Sequence, residues 1–234
     1  MLASWLVHLA LPQTCTHCRR DLARESRAPL CPACRKDLLP AEPPLCLRCG
    51  QPVARTHTLC PACDCRPWAC RTIRAAFLYR GPLTSLIHGF KYRGRQSAAL
   101  TAGDWMGAHL GRFPELAGYH ALVPVPLHAE RLRERGYNQA ELLAVAVSRA
   151  CGLPVRPALQ RSRPTRPQWD LDKEARRRNL QDAFRVCAPI RGQRLILVDD
   201  VCTSGASLEE CARALHRAGA RQVAGYVLAR QTTS

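Results

Sequence analysis

The chain has 234 residues, 47% of them hydrophobic, and 35 Lys+Arg against 18 Asp+Glu give a formal charge of +17. That length suits one large domain or two small ones, and the composition excludes wholesale disorder, collagen, coiled coil and low-complexity sequence. The charge predicts attraction to polyanions, but with a discount: only Lys36, Lys91 and Lys173 are lysines, and a GC-rich gene favours arginine on its own.

Taken in chain order, the run from Leu2 to Leu11 is apolar apart from Ser4 and His8. It lacks a basic n-region and a small-residue cleavage site, and it falls far short of the ~20 residues of a membrane span. It reads as a short helix packed on the protein, with a membrane-surface contact as the alternative. Without an export signal the expected compartment is the cytoplasm, where thiols stay reduced.

Ten of the 14 cysteines precede residue 71. Eight of them form C-x-x-C pairs, Cys15/Cys18, Cys31/Cys34, Cys46/Cys49 and Cys60/Cys63, separated by 12, 11 and 10 residues. Each pair turns two sulfurs toward one ion, and a second pair after a hairpin-length gap closes a tetrahedron. Two structural four-thiolate Zn²⁺ sites are therefore expected, clipping together a segment with too few aliphatics for its own core; from ligand type alone iron is the alternative. Sequential pairing is the default and a cross-braced arrangement the other option. Cys65, Cys70, His17 and His57 are spare and read as exposed bystanders.

The composition changes near residue 71, so the expected division is 1–70, a short helix plus the cysteine-rich unit, and 71–234, an α/β unit. Residues 71–80 read as a strand, and 83–92 and 97–112 as helices around the loop Arg93-Gly94-Arg95. Residues 121–126 read as a buried strand ended by its prolines, since proline removes a ladder donor. A helix over 137–150 stops at Gly152. Residues 161–182 are Arg-rich and Pro-broken and read as a long exposed loop followed by a short helix. A strand over 194–198, a helix over 206–218 and a strand over 222–229 complete an alternation that implies a mostly parallel sheet. The triplet His128-Ala129-Glu130 resembles half of a deaminase signature, but no P-C-x-x-C follows it.

The most informative string runs from Leu195 to Ser207: an apolar strand through Val198, the carboxylates Asp199 and Asp200, then Thr203, Ser204, Gly205, Ala206 and Ser207 before a helical pattern. Amides in such a turn favour an anion, the hydroxyls add donors, and glycine permits close backbone approach. Two acids beside a phosphate make sense facing a ribose diol or a Mg²⁺. The plainer alternative is a helix cap after an ordinary strand end.

This string resembles the phosphoribosyl-pyrophosphate (PRPP) signature of type I phosphoribosyltransferases. The resemblance implies that Asp199 and Asp200 hold the ribose hydroxyls and act as the catalytic acids, and that with Val198, Thr203, Ser204, Gly205, Ala206 and Ser207 they form a site for Mg²⁺-bound PRPP, the turn wrapping its 5′-phosphate. It also implies a pyrophosphate loop at Pro124, Val125, Pro126, Leu127 and His128. The cysteine pairs, AAFLYRGPLTSLIHGFKYRGR, VPVPLHAERLRERGYNQA, RPQWDLDKEARRRNLQDAF and the PRPP string, in that order, are together similar to the ComF competence-protein family, of the ComFC type. That likeness implies an N-terminal double zinc ribbon followed by a type I phosphoribosyltransferase-like domain, a mostly parallel sheet with helices on both faces. It further implies DNA uptake in transformation, with single-stranded DNA handled at the cytoplasmic side of the inner membrane beside a helicase-like ComF partner.

Lys91, Arg93, Arg163, Trp169, Arg176 and Arg177 are candidate basic-loop residues, suited either to closing over a substrate or to lying along a single strand with a base on the indole. Three functions follow from these readings: a DNA-uptake protein that binds single-stranded DNA and carries a PRPP site, an active phosphoribosyltransferase on an unidentified acceptor, and a zinc-stabilised docking module for a helicase.

Overall fold

The computed structural model describes residues 13–23, 26, 28–56, 58–65, 67–92, 94–162 and 182–232. The expected helix over Leu2 to Leu11, His57, and most of the segment 161–182 with its loop and short helix lie outside them.

Four strands form one parallel sheet in the order β1-β6-β5-β2: β1 is Ile73–Leu78, β2 Ala121–Pro124, β5 Arg194–Cys202 and β6 Gln222–Arg230. Every strand buries both faces, as a sheet covered on two sides requires. On one face lie α3 (Pro82–Tyr92), α4 (Gln96–Leu110) and α6 (Gln139–Cys151), packed through Leu86, Phe90, Met106, Leu143 and Val147 onto Ile196, Val198 and Tyr226. On the other, α7 (Ala206–Arg217) and the antiparallel hairpin β3 (Leu159–Arg161) with β4 (Phe184–Val186) cover Val123, Leu195, Leu197 and Val223.

Helices α4 and α6 meet along a seam of small residues. A Cβ on Gly103 would stand 2.6 Å from the Ala146 Cβ, and one on Gly107 2.6 Å from that of Ala150, so glycine is what lets the backbones approach. The α6 helix begins two residues later than its periodicity suggests, because the Asn138 side chain accepts the Ala140 N–H as N-cap; it ends at Gly152 in the left-handed region, as expected.

Three differences from the sequence reading matter. The strand over 194–198 continues to Cys202, so Asp199 and Asp200 sit inside β5 rather than after it. A short helix, α5 (Ala129–Arg135), follows the proline loop, with His128 as N-cap. The hairpin β3–β4 was not anticipated, since three-residue strands carry too little periodicity to register.

The cysteine-rich segment, with the short helices α1 (Pro32–Lys36) and α2 (Pro61–Asp64), is joined to the sheet rather than tethered beside it. Ala41 N–H donates to Ala76 O (3.1 Å), Leu78 N–H to Leu39 O (2.8 Å) and Ile73 N–H to Arg48 O (2.6 Å), which covers the open edge at β1. Cys15, Leu30 and Cys34 share the apolar cluster of Leu83, Leu86 and Phe90.

Candidate functional site

The cysteines fall into two groups, Cys15, Cys18, Cys31 and Cys34, then Cys46, Cys49, Cys60 and Cys63, with all sulfurs in a group within 4.8 Å of one another. The pairing is sequential. Sulfurs at the corners of a tetrahedron with Zn–S near 2.3 Å stand roughly 3.8 Å apart; Cys18 and Cys31 are at 3.7 Å and Cys49 and Cys60 at 3.6 Å. Backbone N–H groups already serve the sulfurs, Cys31 donating to Cys15 (3.4 Å) and Cys60 to Cys46 (3.3 Å). Burial works against the Cys15 thiolate, but the amides of Cys31, Cys18 and His17 overcome it and bring that thiol down to about 6. Cys34 is driven the other way, up to about 12, by burial and by the neighbouring thiols. Such a set cannot ionise fully without a cation among its sulfurs, so the donors fit a closed structural site for a metal ion of zinc type, with no position left for a reacting water. Of the spare residues, Cys65 is exposed as expected, and His17 Nδ1 meets Ser85 Oγ at 3.0 Å. Cys70 is fully buried beneath α7.

The second constellation lies at the carboxyl ends of β5 and β2, where an open α/β sheet offers a crevice. A cavity of about 320 Å³ is lined there by Asp199, Asp200, Thr203 and Ser207 on one side, by Val125, Pro126 and Leu127 on another, and by Lys91. A smaller cup of about 30 Å³ is walled by Thr203, Ser204, Gly205, Ala206 and Ser207. Val198, by contrast, is wholly within the core, and Pro124 ends β2 under the loop. His128 turns its Nδ1 toward the Glu130 N–H (3.4 Å) and does not line the cavity.

Asp200 is buried and pairs with Lys91, Nζ to Oδ2 at 2.9 Å. Burial disfavours the Lys91 charge, and Asp200 outweighs that penalty, holding the ammonium above its ordinary range. Asp199 Oδ1 accepts the Asp200 N–H (2.8 Å), yet burial and then the neighbouring carboxylate push its carboxyl up to about 7, against the pull of Lys91. The two acids thus differ: one is an ion pair, and the other holds its proton more tightly than an ordinary carboxyl and would release it to solvent when a cation enters.

The turn after them is formed by geometry that needs glycine. Gly205 has φ +78°, and a Cβ there would meet Trp68 Cζ3 at 3.0 Å. Ser204 Oγ accepts the Ala206 N–H (3.4 Å), a weak local cap, and Ser207 stands in the cavity wall. The loop opposite is held by Asn138 Nδ2, which donates to Val125 O (3.1 Å).

Five lining residues escaped sequence reasoning, Tyr79, Gln139, Phe184, Val201 and Gln231, while Arg161, read as part of the basic loop, lies in β3. Arg161 and Phe184 face each other across the unexpected hairpin, with the guanidinium 5.7 Å from the ring centroid. Arg93, Arg163, Trp169, Arg176 and Arg177 lie outside the described residues. Among the described residues, no helix is long and apolar enough to cross a membrane.

Two family models match the chain, a double zinc ribbon domain over residues 6–64 and a phosphoribosyl transferase domain over 162–234. Relatives extend over nearly the whole chain. It is 33% identical over 227 residues to the DNA utilization protein YhgH of Escherichia coli (strain K12), covering 95% of this chain and 99% of that one. Competence protein F of Haemophilus influenzae is 31% identical over 230 residues, covering 92% and 96%, and competence protein ComFC of Bacillus subtilis 28% over 218, covering 86% and 84%. With its paired four-cysteine groups set before a phosphoribosyltransferase-type parallel sheet, the chain belongs to the ComF competence-protein family.

Proposed function

We propose that this protein acts in DNA uptake during natural transformation, binding Mg²⁺-PRPP or a related sugar phosphate in the crevice and single-stranded DNA on the basic surface beside it. The observation that carries the first part is the convergence of Asp199, Asp200, Thr203 and Ser207 with the loop Val125 to Leu127 and Lys91 around one 320 Å³ cavity. In this reading the cup from Thr203 to Ser207 takes the 5′-phosphate, the acids take the ribose hydroxyls or the magnesium, and the segment Pro124 to His128 with Lys91 faces the diphosphate. The four-cysteine groups hold Zn²⁺ and brace the 1–70 unit against the 71–234 unit.

The second part rests on charge and one exposed ring. Tyr92, at the end of α3 next to Lys91, is 67% exposed, with the Arg135 guanidinium 5.9 Å from its centroid. Arg131 and Arg133 are exposed on α5 just beyond the cavity loop. Cations around an exposed aromatic suit a single-stranded backbone with a stacked base. Arg93, Arg163, Trp169, Arg176 and Arg177 are candidates for the same role on their sequence character alone, and the proposed setting is the cytoplasmic side of the inner membrane beside a helicase-like partner.

A second reading, transfer of the phosphoribosyl group to an acceptor, is favoured by the aromatic wall of Tyr79 and Phe184, which gives the cavity room beyond a sugar.

Calorimetric titration with Mg²⁺ and PRPP tests the site: the zinc-loaded protein binds, and Asp199→Asn with Asp200→Asn weakens binding at least ~10-fold, the scale expected for losing charge-assisted hydrogen bonds. Unchanged affinity in the double variant overturns the assignment. Fluorescence anisotropy with a single-stranded oligonucleotide across a salt series tests the surface. A log–log slope of several negative units is expected, at ~0.7 per phosphate contacted, and a flat line defeats it. Pyrophosphate release with an acceptor panel selects the second reading.

A further inference from the structure

The two cysteine groups are not equivalent. The first packs on α3, with the Thr16 side chain against Gly89. The second is wired to the phosphate turn through Arg230. This residue ends β6 and is 5% exposed, and its Nη1 donates to Cys202 O (2.9 Å) and Thr203 O (2.5 Å) and meets Cys202 Sγ at 2.8 Å. Burial works against the Arg230 charge, and the thiols of Cys202, of its side-chain partner Cys49 and of Cys63 outweigh it.

Trp68 makes a second link. It packs with Cys46, Cys49 and Cys63, and its ring stands against Gly205. Glu209 makes a third: from the first turns of α7 it accepts the N–H groups of Ala69 (2.8 Å) and Cys70 (2.9 Å), fastening the chain that leaves the second group to the helix that leaves the turn.

We propose that the second four-cysteine group, when metal-loaded, sets the conformation of the phosphate turn through Arg230, so that metal occupancy there and anion binding in the crevice are thermodynamically coupled. Four thiolates around a divalent ion carry a net negative charge, for which Arg230 is the buried counter-ion. Held there, it draws the carbonyls of Cys202 and Thr203 to itself. Because C=O and the following N–H point opposite ways in a trans peptide, the amides of Thr203 and Ser204 are turned away from Arg230, and both residues wall the cup. Loss of the metal removes the negative partner and frees the guanidinium. The turn then loses the contact that aligns its donors. Arg230 is a positioning residue, since it acts through the turn.

This inference rests on the turn being the anion site, and its test separates the two. Linkage is reciprocal, so an anion that favours the aligned turn must also retain the second metal. The zinc-loaded full chain is exposed to a thiol-alkylating reagent with and without Mg²⁺-PRPP, and with inorganic phosphate as the simpler probe, and alkylation is read at each cysteine by mass spectrometry. Saturating ligand is expected to slow modification of Cys49 and Cys60 at least ~5-fold and to leave Cys18 and Cys31 unchanged. In Arg230→Met that selective protection disappears while two zinc ions per chain are retained, and Arg230→Lys restores part of it. Equal rates with and without ligand in a wild-type protein that demonstrably binds PRPP overturn the coupling alone. No ligand binding by the zinc-loaded wild type removes the site and the coupling together.

Discussion

At the scale of the single residue, the site is governed by the difference between two adjacent carboxylates. Desolvation and the neighbouring Asp200 carboxylate push the Asp199 carboxyl up to about 7 in the folded chain, against an ordinary carboxylate value of 3.8 in the unfolded one. A raised carboxyl pKa means that the folded state holds a proton the unfolded state has released, so stability falls as pH rises from the unfolded to the folded value. Asp199→Asn removes this penalty. The variant's thermal midpoint should exceed that of the wild type at pH 8, by several degrees at ~2–4 °C per kcal/mol, and the gap should close toward pH 4; a gap independent of pH would refute the raised pKa. The same proton bears on binding. Mg²⁺-PRPP should release protons on association near pH 7, read as a dependence of the apparent binding enthalpy on buffer ionisation. Sequence showed both acids, since a carboxylate pair after four apolar residues is a local pattern. It did not show Lys91 as the partner of Asp200, because a pairing across 109 positions has no local signature.

At the scale of the element, helices α4 and α6 depend on absent side chains. Alanine is the better helix former by about 1 kcal/mol, so on propensity alone Gly103→Ala would stabilise the chain. The added Cβ, however, would sit 2.6 Å from that of Ala146 and 3.0 Å from Leu143 O, and backbone cannot step aside as a side-chain tip can. Overpacking of this kind costs roughly 1–3 kcal/mol, enough to reverse the sign, and thermal or denaturant unfolding should show Gly103→Ala to be less stable than wild type. Regular elements were legible where periodicity ran for a helix or a full strand, as at α6, β5 and β6. The hairpin β3–β4 was not, and with it went Phe184, because strands of three residues leave no pattern and their pairing is fixed by tertiary packing on α7.

At the scale of the whole molecule, the compositional break near residue 71 is not a mechanical break. Arg74 Nη1 donates to Cys46 O (3.2 Å) and Thr72 Oγ1 to Leu47 O (2.9 Å), and the first cysteine group shares apolar neighbours with α3. Differential scanning calorimetry of the zinc-loaded protein should therefore give one transition, and metal removal should lower its midpoint as a whole; two separable transitions would show that the halves fold apart. Paired thiols announce a metal-binding unit through spacing alone, whereas the contacts that bind it to the sheet come from backbone groups that no residue type advertises.

The strand order carries a consequence for how the chain is made. Strand β6 lies between β1 and β5 and hydrogen-bonds to both, although it is the last of the described strands to leave the ribosome. β1 must wait about 150 residues of synthesis for its neighbour, a long loop to close and a slow kind of pairing. During that wait its inner edge is open to other chains, while the cysteine-rich segment, already synthesised, hydrogen-bonds its outer edge. Metal acquisition by the nascent chain would in that way act as an intramolecular chaperone.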